Sequence, residues 1–325
     1  LGFVMWIFNI WLIYSIAKWL LRYLYALKMS RSLVKMKVLL PRTDSKIDQE
    51  KRTEKDFKEK IAVMEQLYRS LWEVRSLNIW QTLSFWFFRY ATMSFEVYCE
   101  KGLITFYIVT APKLASIVEK QVTSFYSDAE ITPMDTPDIW PKGTKLVGYN
   151  MLFHKPFQYP LRFFDQMQDD PLNSICNVLS KLEEEDTACI QIVITPSFSS
   201  KWNKKARNFA SMKFKGKSVT WLNNIPVISF FAPALDALVS GTKNMAPGAS
   251  SGDSFVRMIQ PEEELYKRMG EKAGMSFYHA SIRIFAATKS WQRSIEVTNN
   301  MQVAFNTFKD LYGNMLDNRR MFVDF

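Results

Sequence analysis

The sequence predicts an α+β protein in which an N-terminal transmembrane helix precedes two ferredoxin-like α+β modules. Three observations lead to this fold class. The first 17 residues carry no charged side chain. From residue 93 onwards the strand and helix patterns run first as strand-strand-helix-strand and then as two approximate strand-helix-strand halves. The residues that follow the first helix are numerous enough for two ordinary domains.

Residues 1–27 have the length and composition of a membrane span. The uncharged stretch covers roughly 25 Å as a helix, and the whole segment exceeds the ~30 Å of a bilayer's hydrocarbon core. Tryptophan favours the headgroup region, and long basic side chains near a helix end can reach it. The predicted membrane-anchoring residues are therefore Trp6, Trp11, Trp19, Lys18 and Arg22.

Two alternatives compete with a membrane span for these residues. A signal peptide would place its basic residues before the apolar run, whereas here they follow it. A buried core helix of this length would need a very large domain around it. The chain begins with leucine rather than methionine, so we expect a trimmed protein that further membrane segments precede.

The charge distribution predicts the orientation of the span. Seven basic residues and no acidic residue lie between residues 1 and 43. Basic residues just beyond a span stay on the cytoplasmic side, and they also attract anionic headgroups. We therefore expect membrane lipid as a partner, and we expect the chain after residue 28 to be cytoplasmic.

Residues 28–92 are interpreted as a basic connector followed by an amphipathic and aromatic helical region. Apolar residues recur at helical spacing from Ile61 to about Leu77. The segment from Ile79 to Tyr90 is densely aromatic. It is equally compatible with contact at a bilayer or a neighbouring subunit and with a hydrophobic hairpin inside the core.

The first α+β module is assigned to residues 93–143. Strand patterns occupy residues 93–98, 103–109 and 129–132, with a turn at Glu100-Lys101-Gly102 and an amphipathic helix over residues 113–126. The second module is assigned to residues 144–325. Its strands are expected at 145–154, 188–195 and 275–287, and its helices at 171–182, 262–273 and 291–308.

A long insertion, residues 197–260, interrupts the second module. Its basic residues are interleaved with aromatic residues, as in proteins that bind single-stranded nucleic acid. The alternative is an exposed basic helix that lies over the domain or faces anionic lipid. The candidate contact residues are Lys201, Lys204, Lys205, Arg207, Lys213, Lys215, Lys217, Trp202 and Trp221.

No pattern in the sequence indicates catalysis. Gly216-Lys217-Ser218 lacks the glycine five positions earlier that a phosphate-binding loop requires, because position 211 is serine. His154 and His279 have no nucleophile or carboxylate at motif spacing, so we interpret both as structural. The three cysteines form no metal-ligand spacing and fit a reducing compartment. We therefore predict no catalytic residue, no metal site and no cofactor.

Several scaffold segments resemble a known family. They are Lys37-Val-Leu-Leu-Pro41-Arg42, Met64-Glu65-Gln66-Leu67, Phe106-Tyr-Ile-Val-Thr110, Tyr126-Ser-Asp-Ala-Glu-Ile-Thr132, Ser281-Ile-Arg-Ile-Phe285 and Ala304-Phe305. The arrangement resembles the membrane-anchored region ahead of the ATPase in conjugative DNA-transfer proteins of type IV secretion systems, as found in ultra-small bacteria of the candidate phyla. That family continues into a motor domain with a phosphate-binding loop, which is missing from the residues up to Phe325. An enzyme stays the alternative if the full gene encodes a motor domain further on.

The resemblance implies a structural rather than an enzymatic role. We expect a non-catalytic membrane-anchored docking component of a type IV secretion or conjugation machine at the bacterial inner membrane. Its expected partners are further copies of itself and other apparatus subunits, including an ATPase. The alternative is a membrane-tethered protein that binds single-stranded nucleic acid.

Overall fold

The computed structural model describes residues 2–39, 55–73, 92–167, 170–197, 201–214 and 260–320. The helices in these ranges are α1 (Gly2–Arg31), α2 (Lys55–Glu73), α3 (Pro112–Phe125), α4 (Pro171–Leu179), α5 (Lys201–Phe214), α6 (Gln260–Gly274) and α7 (Trp291–Ala304). The strands are β1 (Val34–Leu39), β2 (Met93–Glu100), β3 (Leu103–Thr110), β4 (Glu130–Pro133), β5 (Lys145–Phe153), β6 (Thr187–Pro196), β7 (Tyr278–Thr288) and β8 (Leu316–Arg320).

All eight described strands form one antiparallel sheet, in the order β4-β1-β3-β2-β6-β7-β5-β8. The first half contains β1-α2-β2-β3-α3-β4, and the second contains β5-α4-β6-β7-α7-β8. Each half has the same spatial order of its own first to fourth strands, 4-1-3-2, which is the ferredoxin-like arrangement. The two halves meet where β2 pairs with β6 over residues 93–100 and 187–194. We call this pairing the seam.

The core of each half lies between the sheet and its own pair of helices. In the first half, Leu67 and Leu71 of α2 and Val118 of α3 pack against Met36 and Ile108 of the sheet. The second half has a separate core. There, Leu179 of α4 and Val297 and Met301 of α7 pack against Ile190 and Ile284. The alternation of side chains along each strand directs these residues to one face of the sheet.

Residues 134–144 cross the opposite face of the sheet, and we call them the strap. The crossing follows from the topology, because β4 is an edge strand and β5 lies near the other edge. The Met134 amide donates to the Lys35 carbonyl at 3.1 Å. Further along, Ile139 packs against a cluster formed by Tyr98, Tyr107, Cys189 and Phe285. The strap therefore covers part of this face.

Helices α5 and α6 form a pair between β6 and β7 in the chain, with α5 inside the insertion and α6 beginning at its last residue. Ala210 of α5 packs against Leu265 and Met269 of α6. The Asn203 side-chain amide donates to the Ala273 carbonyl at 3.0 Å and to the Met275 carbonyl at 2.9 Å. These bonds fix α5 against the C-terminal end of α6.

The predicted transmembrane helix is the main correction. Helix α1 extends over 30 residues, yet no helix in the described ranges combines the length and the apolar character that crossing a bilayer requires. The length is sufficient, but Asn9, Lys18 and the weakly hydropathic tryptophan and tyrosine rings lower the mean hydropathy. The prediction of an N-terminal transmembrane span is therefore wrong, whereas the α+β class agrees with the structure.

Two strands were missed by the sequence interpretation. Residues 34–39, interpreted as part of a connector, form β1 in the middle of the first half of the sheet, between β3 and β4. The tail, for which no element was predicted, contains β8, which pairs with β5 at the other edge. The aromatic segment 79–90 lies outside the described residues.

Candidate functional site

A row of side chains in register crosses the face of the sheet that carries the strap. Each strand contributes one residue, because the strand pairings place these positions directly opposite one another. Their sequence neighbours, such as Ile190 and Ile284, point to the helical side. From β4 to β8 the row consists of Thr132, Lys37, Tyr107, Glu96, Gln191, Arg283, Asn150 and Arg319.

Glu96 is the central carboxylate of this row, and only 6% of its surface is exposed. Its Oε1 accepts a hydrogen bond from the Ser94 hydroxyl at 2.7 Å and one from the Gln191 amide at 3.3 Å. Its Oε2 accepts a hydrogen bond from the Tyr98 hydroxyl at 2.9 Å. A carboxylate can be buried when donors satisfy its oxygens. Glu96 is thus held by residues of β2 and, across the seam, of β6.

The groups around Glu96 are poorly suited to catalysis. Burial raises the pKa of Tyr98 far above its usual value, and the nearby Cys189 and Glu96 raise it further. Burial also raises the pKa of the Cys189 thiol, and Glu96 adds to that effect. Both groups therefore keep their protons at neutral pH. A protonated tyrosine is a hydrogen-bond donor here, and a protonated thiol is a poor nucleophile.

The outer part of the row has unsatisfied polar atoms. Arg283 and Asn150 lie opposite each other on β7 and β5. The Nε of Arg283 and the Oδ1 of Asn150 are buried and have no hydrogen-bond partner in the described part of the chain. A buried donor or acceptor without a partner costs about 1–3 kcal/mol. This pair is therefore a candidate for contact with a ligand.

Protein segments border this outer part on both sides. On one side, Phe285 of β7 belongs to the cluster beneath Ile139 of the strap. On the other side, the Trp202 ring of α5 contacts the His279 ring, with centroids 5.4 Å apart. Phe285 and His279 are six positions apart on β7, or about 20 Å along an extended strand. We call the sheet surface between these contacts the open-face strip.

The structure describes part of the basic set predicted in the insertion. Lys201, Lys204, Lys205 and Arg207 are exposed on α5, and Lys213 is partly exposed. The Lys205 ammonium lies 5.7 Å from the centroid of the Trp202 ring. Trp202 itself also contacts Phe157 at a centroid distance of 5.2 Å, so it is a packing residue. Lys215, Lys217 and Trp221 lie outside the described residues.

The predicted anchoring residues lie on α1, whose described side chains include no buried residue. Trp6, Trp11 and Trp19 are 64%, 60% and 66% exposed. Trp19 stacks on Tyr23 at 5.8 Å, and the Lys18 ammonium lies 5.8 Å from the Tyr14 ring. The other large apolar residues of α1 that are exposed are Met5, Phe8, Ile10, Leu12, Ile13, Tyr14, Ile16, Leu20, Leu21, Tyr23, Leu24 and Leu27.

The histidines and the acidic run have structural contacts. His154 Nδ1 lies 2.6 Å from an Asp317 carboxylate oxygen, which links the end of β5 to β8. In the acidic run 183–186, Asp186 is buried and lies 3.4 Å from Arg293 of α7. Within the described ranges, no group of three or more histidine, cysteine or acidic side chains is arranged to hold a metal ion.

The sequence interpretation missed the row of eight residues across the strap side of the sheet. The sequence nevertheless contains a signal for it. Four consecutive members of the row each interrupt a strand of mostly apolar or aromatic neighbours: Glu96 in Ser-Phe-Glu-Val-Tyr, Gln191 in Cys-Ile-Gln-Ile-Val, Arg283 in Ser-Ile-Arg-Ile-Phe and Asn150 in Gly-Tyr-Asn-Met-Leu. A polar residue at the centre of an otherwise apolar strand is a sequence signal for a site.

The comparison with protein families decides the family of the chain. A family described as Domain of unknown function (DUF8128) matches residues 42–225, more than half of the chain. The chain belongs to this family. The DUF8128 match begins after β1 and extends through the seam into the insertion, so it includes Glu96 and Gln191 but not Arg283. No curated protein matches the chain.

Proposed function

We propose that this DUF8128 protein is a non-catalytic docking platform that associates peripherally with an anionic lipid surface through α1. The observation that carries the proposal is the exposure of α1. Consecutive apolar residues from Ile10 to Tyr14 point around the helix in steps of about 100°, and all five are exposed. A helix that is apolar on all sides requires a covering surface.

Charge favours lipid over a second copy of the chain as that surface. The basic residues that accompany α1 include Lys18, Arg22, Lys28 and Arg31, and no acidic residue precedes Asp44. Parallel copies would bring these like charges together, whereas anionic headgroups attract them. Each basic residue near an anionic membrane surface contributes about 1 kcal/mol, and each large apolar side chain that leaves water contributes about 1.5–3 kcal/mol.

The rest of the molecule suits a platform. Its strands form one continuous sheet, and the groups around the buried Glu96 keep their protons at neutral pH. A continuous sheet attached to a surface by one helix can present the strap, α5 and both sheet edges to partners. Non-catalytic docking is therefore the role that this arrangement supports best.

Vesicle flotation tests the lipid proposal. The full chain should float with vesicles that contain phosphatidylserine and much less with phosphatidylcholine alone. Trp6→Ala combined with Trp11→Ala should weaken binding to both kinds of vesicle. Lys18→Glu combined with Arg22→Glu should abolish the preference for anionic lipid.

Charge reversal on α5 provides the matched control. Lys204→Glu combined with Arg207→Glu changes the same number of charges at exposed positions outside α1 and should leave flotation unchanged. If only the α5 variant loses flotation, α5 rather than α1 contacts lipid. If the chain binds neither kind of vesicle and forms oligomers that require Trp6 and Trp11, a second copy covers α1 and the lipid proposal is wrong.

The wider role in a type IV secretion or conjugation machine stays a proposal. It depends on the sequence resemblance and would add an ATPase, other apparatus subunits and further copies of the chain as partners at the bacterial inner membrane. Crosslinking in cells that carry such an apparatus, followed by mass spectrometry, tests it. Recovery of the apparatus ATPase would support this role, and its absence among the crosslinked partners would oppose it.

A further inference from the structure

We propose that the open-face strip is a separate binding site that holds the phosphodiester backbone of single-stranded nucleic acid against Arg283, Asn150 and Arg319. The site shares no residue with α1 and does not depend on the lipid proposal. Its three residues occupy neighbouring positions of the row on β7, β5 and β8. They lie at one edge of the described sheet.

The unsatisfied polar atoms indicate what the site binds. The guanidinium of Arg283 has a buried Nε without a hydrogen-bond partner in the described chain, and no described carboxylate forms an ion pair with it. A guanidinium presents several donors in a plane that matches two phosphate oxygens. The amide group of Asn150 opposite it can both donate and accept. An oxyanion therefore satisfies the Arg283 donor better than an apolar ligand, and it can accept a hydrogen bond from Nδ2 of Asn150. The Oδ1 of Asn150 is itself an acceptor and requires a donor rather than an anion.

Two carboxylates near the strip, Glu96 and Asp317, are already engaged. Glu96 lies two strands from Arg283, about 10 Å away, and receives hydrogen bonds from Ser94, Tyr98 and Gln191. Asp317, two positions from Arg319 on β8, is bound by His154 at 2.6 Å. These contacts reduce the competition of both carboxylates for the guanidinium groups of Arg283 and Arg319.

The border of the strip favours a polyanion over a single small anion. Helix α5 carries five basic residues and no acidic residue. Its Trp202 contacts His279 at the edge of the strip, and Lys205 lies over that tryptophan ring. Cations are thus spread from Arg319 on the sheet to α5, and a chain of phosphates can contact several of them at once.

The width of the strip favours a single strand. The contacts at Phe285 and His279 are about 20 Å apart along β7, and the strap and Trp202 occupy both ends of that distance. The surface between them that no described residue covers is therefore narrower than 20 Å. An extended single strand fits such a surface, with its backbone following the row from Arg319 towards Gln191.

Fluorescence anisotropy with a labelled oligothymidine tests the proposal on the full chain, without lipid. Wild-type protein should bind, and affinity should fall as salt rises. Arg283→Gln should weaken binding about tenfold and reduce the slope of log affinity against log salt by about 0.7, the value for one phosphate contact with a single strand. Arg319→Gln should have a similar effect at an exposed position, where loss of folding is not expected.

The controls separate the strip from other basic surfaces. Lys120→Gln removes an exposed charge from α3 on the helical side and should leave binding unchanged. If wild-type protein does not bind, or if Arg283→Gln and Arg319→Gln bind like wild type, the proposal is wrong. Loss of binding only in Lys204→Gln combined with Lys205→Gln would assign binding to α5 alone. Binding of inorganic phosphate without binding of the oligonucleotide would reduce the site to a free-anion site and overturn the strand proposal.

Discussion

The Gln191 amide donates a hydrogen bond to Oε1 of Glu96 at 3.3 Å, across the seam between the two halves of the sheet. Glu96 belongs to the first half and Gln191 to the second. A slip of one residue in this pairing would move Gln191 to the other face and leave the buried carboxylate without that donor. The pair therefore specifies the register in which the two halves join.

Replacement of Glu96 tests this role. Glu96→Gln places an amide among three donors, so at least one of them loses its acceptor. We expect the free energy of unfolding to fall by about 1–3 kcal/mol, the cost of an unsatisfied buried polar group. Urea denaturation measures the change. Glu100→Gln, at the partly exposed end of the same strand, is the control, and an equal loss in both variants would contradict the assignment.

The buried tyrosines predict a loss of stability at alkaline pH. Burial, followed by the influence of Tyr126, raises the pKa of Tyr68 to about 12, and burial also raises that of Tyr98. The unfolded chain ionises near the ordinary value of about 10. The folded state therefore favours the protonated tyrosines. Their contribution to the free energy of unfolding is complete below pH 10 and is lost as pH rises towards 12.

Denaturation at several pH values measures this contribution. The wild-type free energy of unfolding should decline above about pH 10. Tyr98→Phe should be less stable at neutral pH, because Glu96 loses a donor, but it should decline less steeply above pH 10. Parallel curves for the two proteins would show that Tyr98 does not contribute to the alkaline transition.

Gly148 on β5 is predicted to tolerate no side chain. A Cβ at this position would lie 2.7 Å from the ring of Phe285 on β7. Gly148→Ala should therefore destabilise the second half by about 1–3 kcal/mol through overpacking. Phe285→Leu supplies space, so its combination with Gly148→Ala should cost less than the sum of the two single changes. Strict additivity would contradict the contact.

Arg293 is predicted to stabilise the turn that leads into β6. It lies 3.4 Å from the buried Asp186, and its own side chain is 30% exposed. Arg293→Gln should lower the free energy of unfolding by about 1–2 kcal/mol, because the Asp186 carboxylate loses its cation. Lys289→Gln is the matched control, since Lys289 pairs with the exposed Glu185. Its cost should be below about 0.5 kcal/mol.

The sequence predicted those elements whose own residues carry a strong periodicity. Alternation in β2, β-branched and aromatic residues in β3, a strand-forming run in β6 and helical spacing in α3 located these elements to within a few residues, and the structure confirms them. Strand β8, Leu-Asp-Asn-Arg-Arg, has almost no apolar pattern because its place depends on backbone pairing with β5. In β1 the alternation of lysines with Met36 and Val38 was visible, but its partner β3 is distant in sequence.

The candidate sites were predicted unevenly for a related reason. The exposed basic residues of α5 could be predicted from composition, because charge and exposure are local properties. The row of residues from Thr132 to Arg319 depends on the register of eight strands, most of which are far apart in the chain. No local sequence pattern therefore links Glu96 to Arg283. The apolar character of helix α1 was overestimated because the length of its uncharged stretch was given more weight than its aromatic and polar residues.

Tryptophan quenching by lipids with brominated acyl chains tests the central claim most directly. Vesicles that contain brominated phosphatidylcholine and phosphatidylserine should quench wild-type fluorescence, because Trp6, Trp11 and Trp19 contact acyl chains. The triple variant Trp6→Phe, Trp11→Phe and Trp19→Phe should bind the same vesicles with little quenching of its remaining tryptophans. Equal fractional quenching in both proteins, or no quenching of wild type by anionic vesicles, would contradict lipid association through α1.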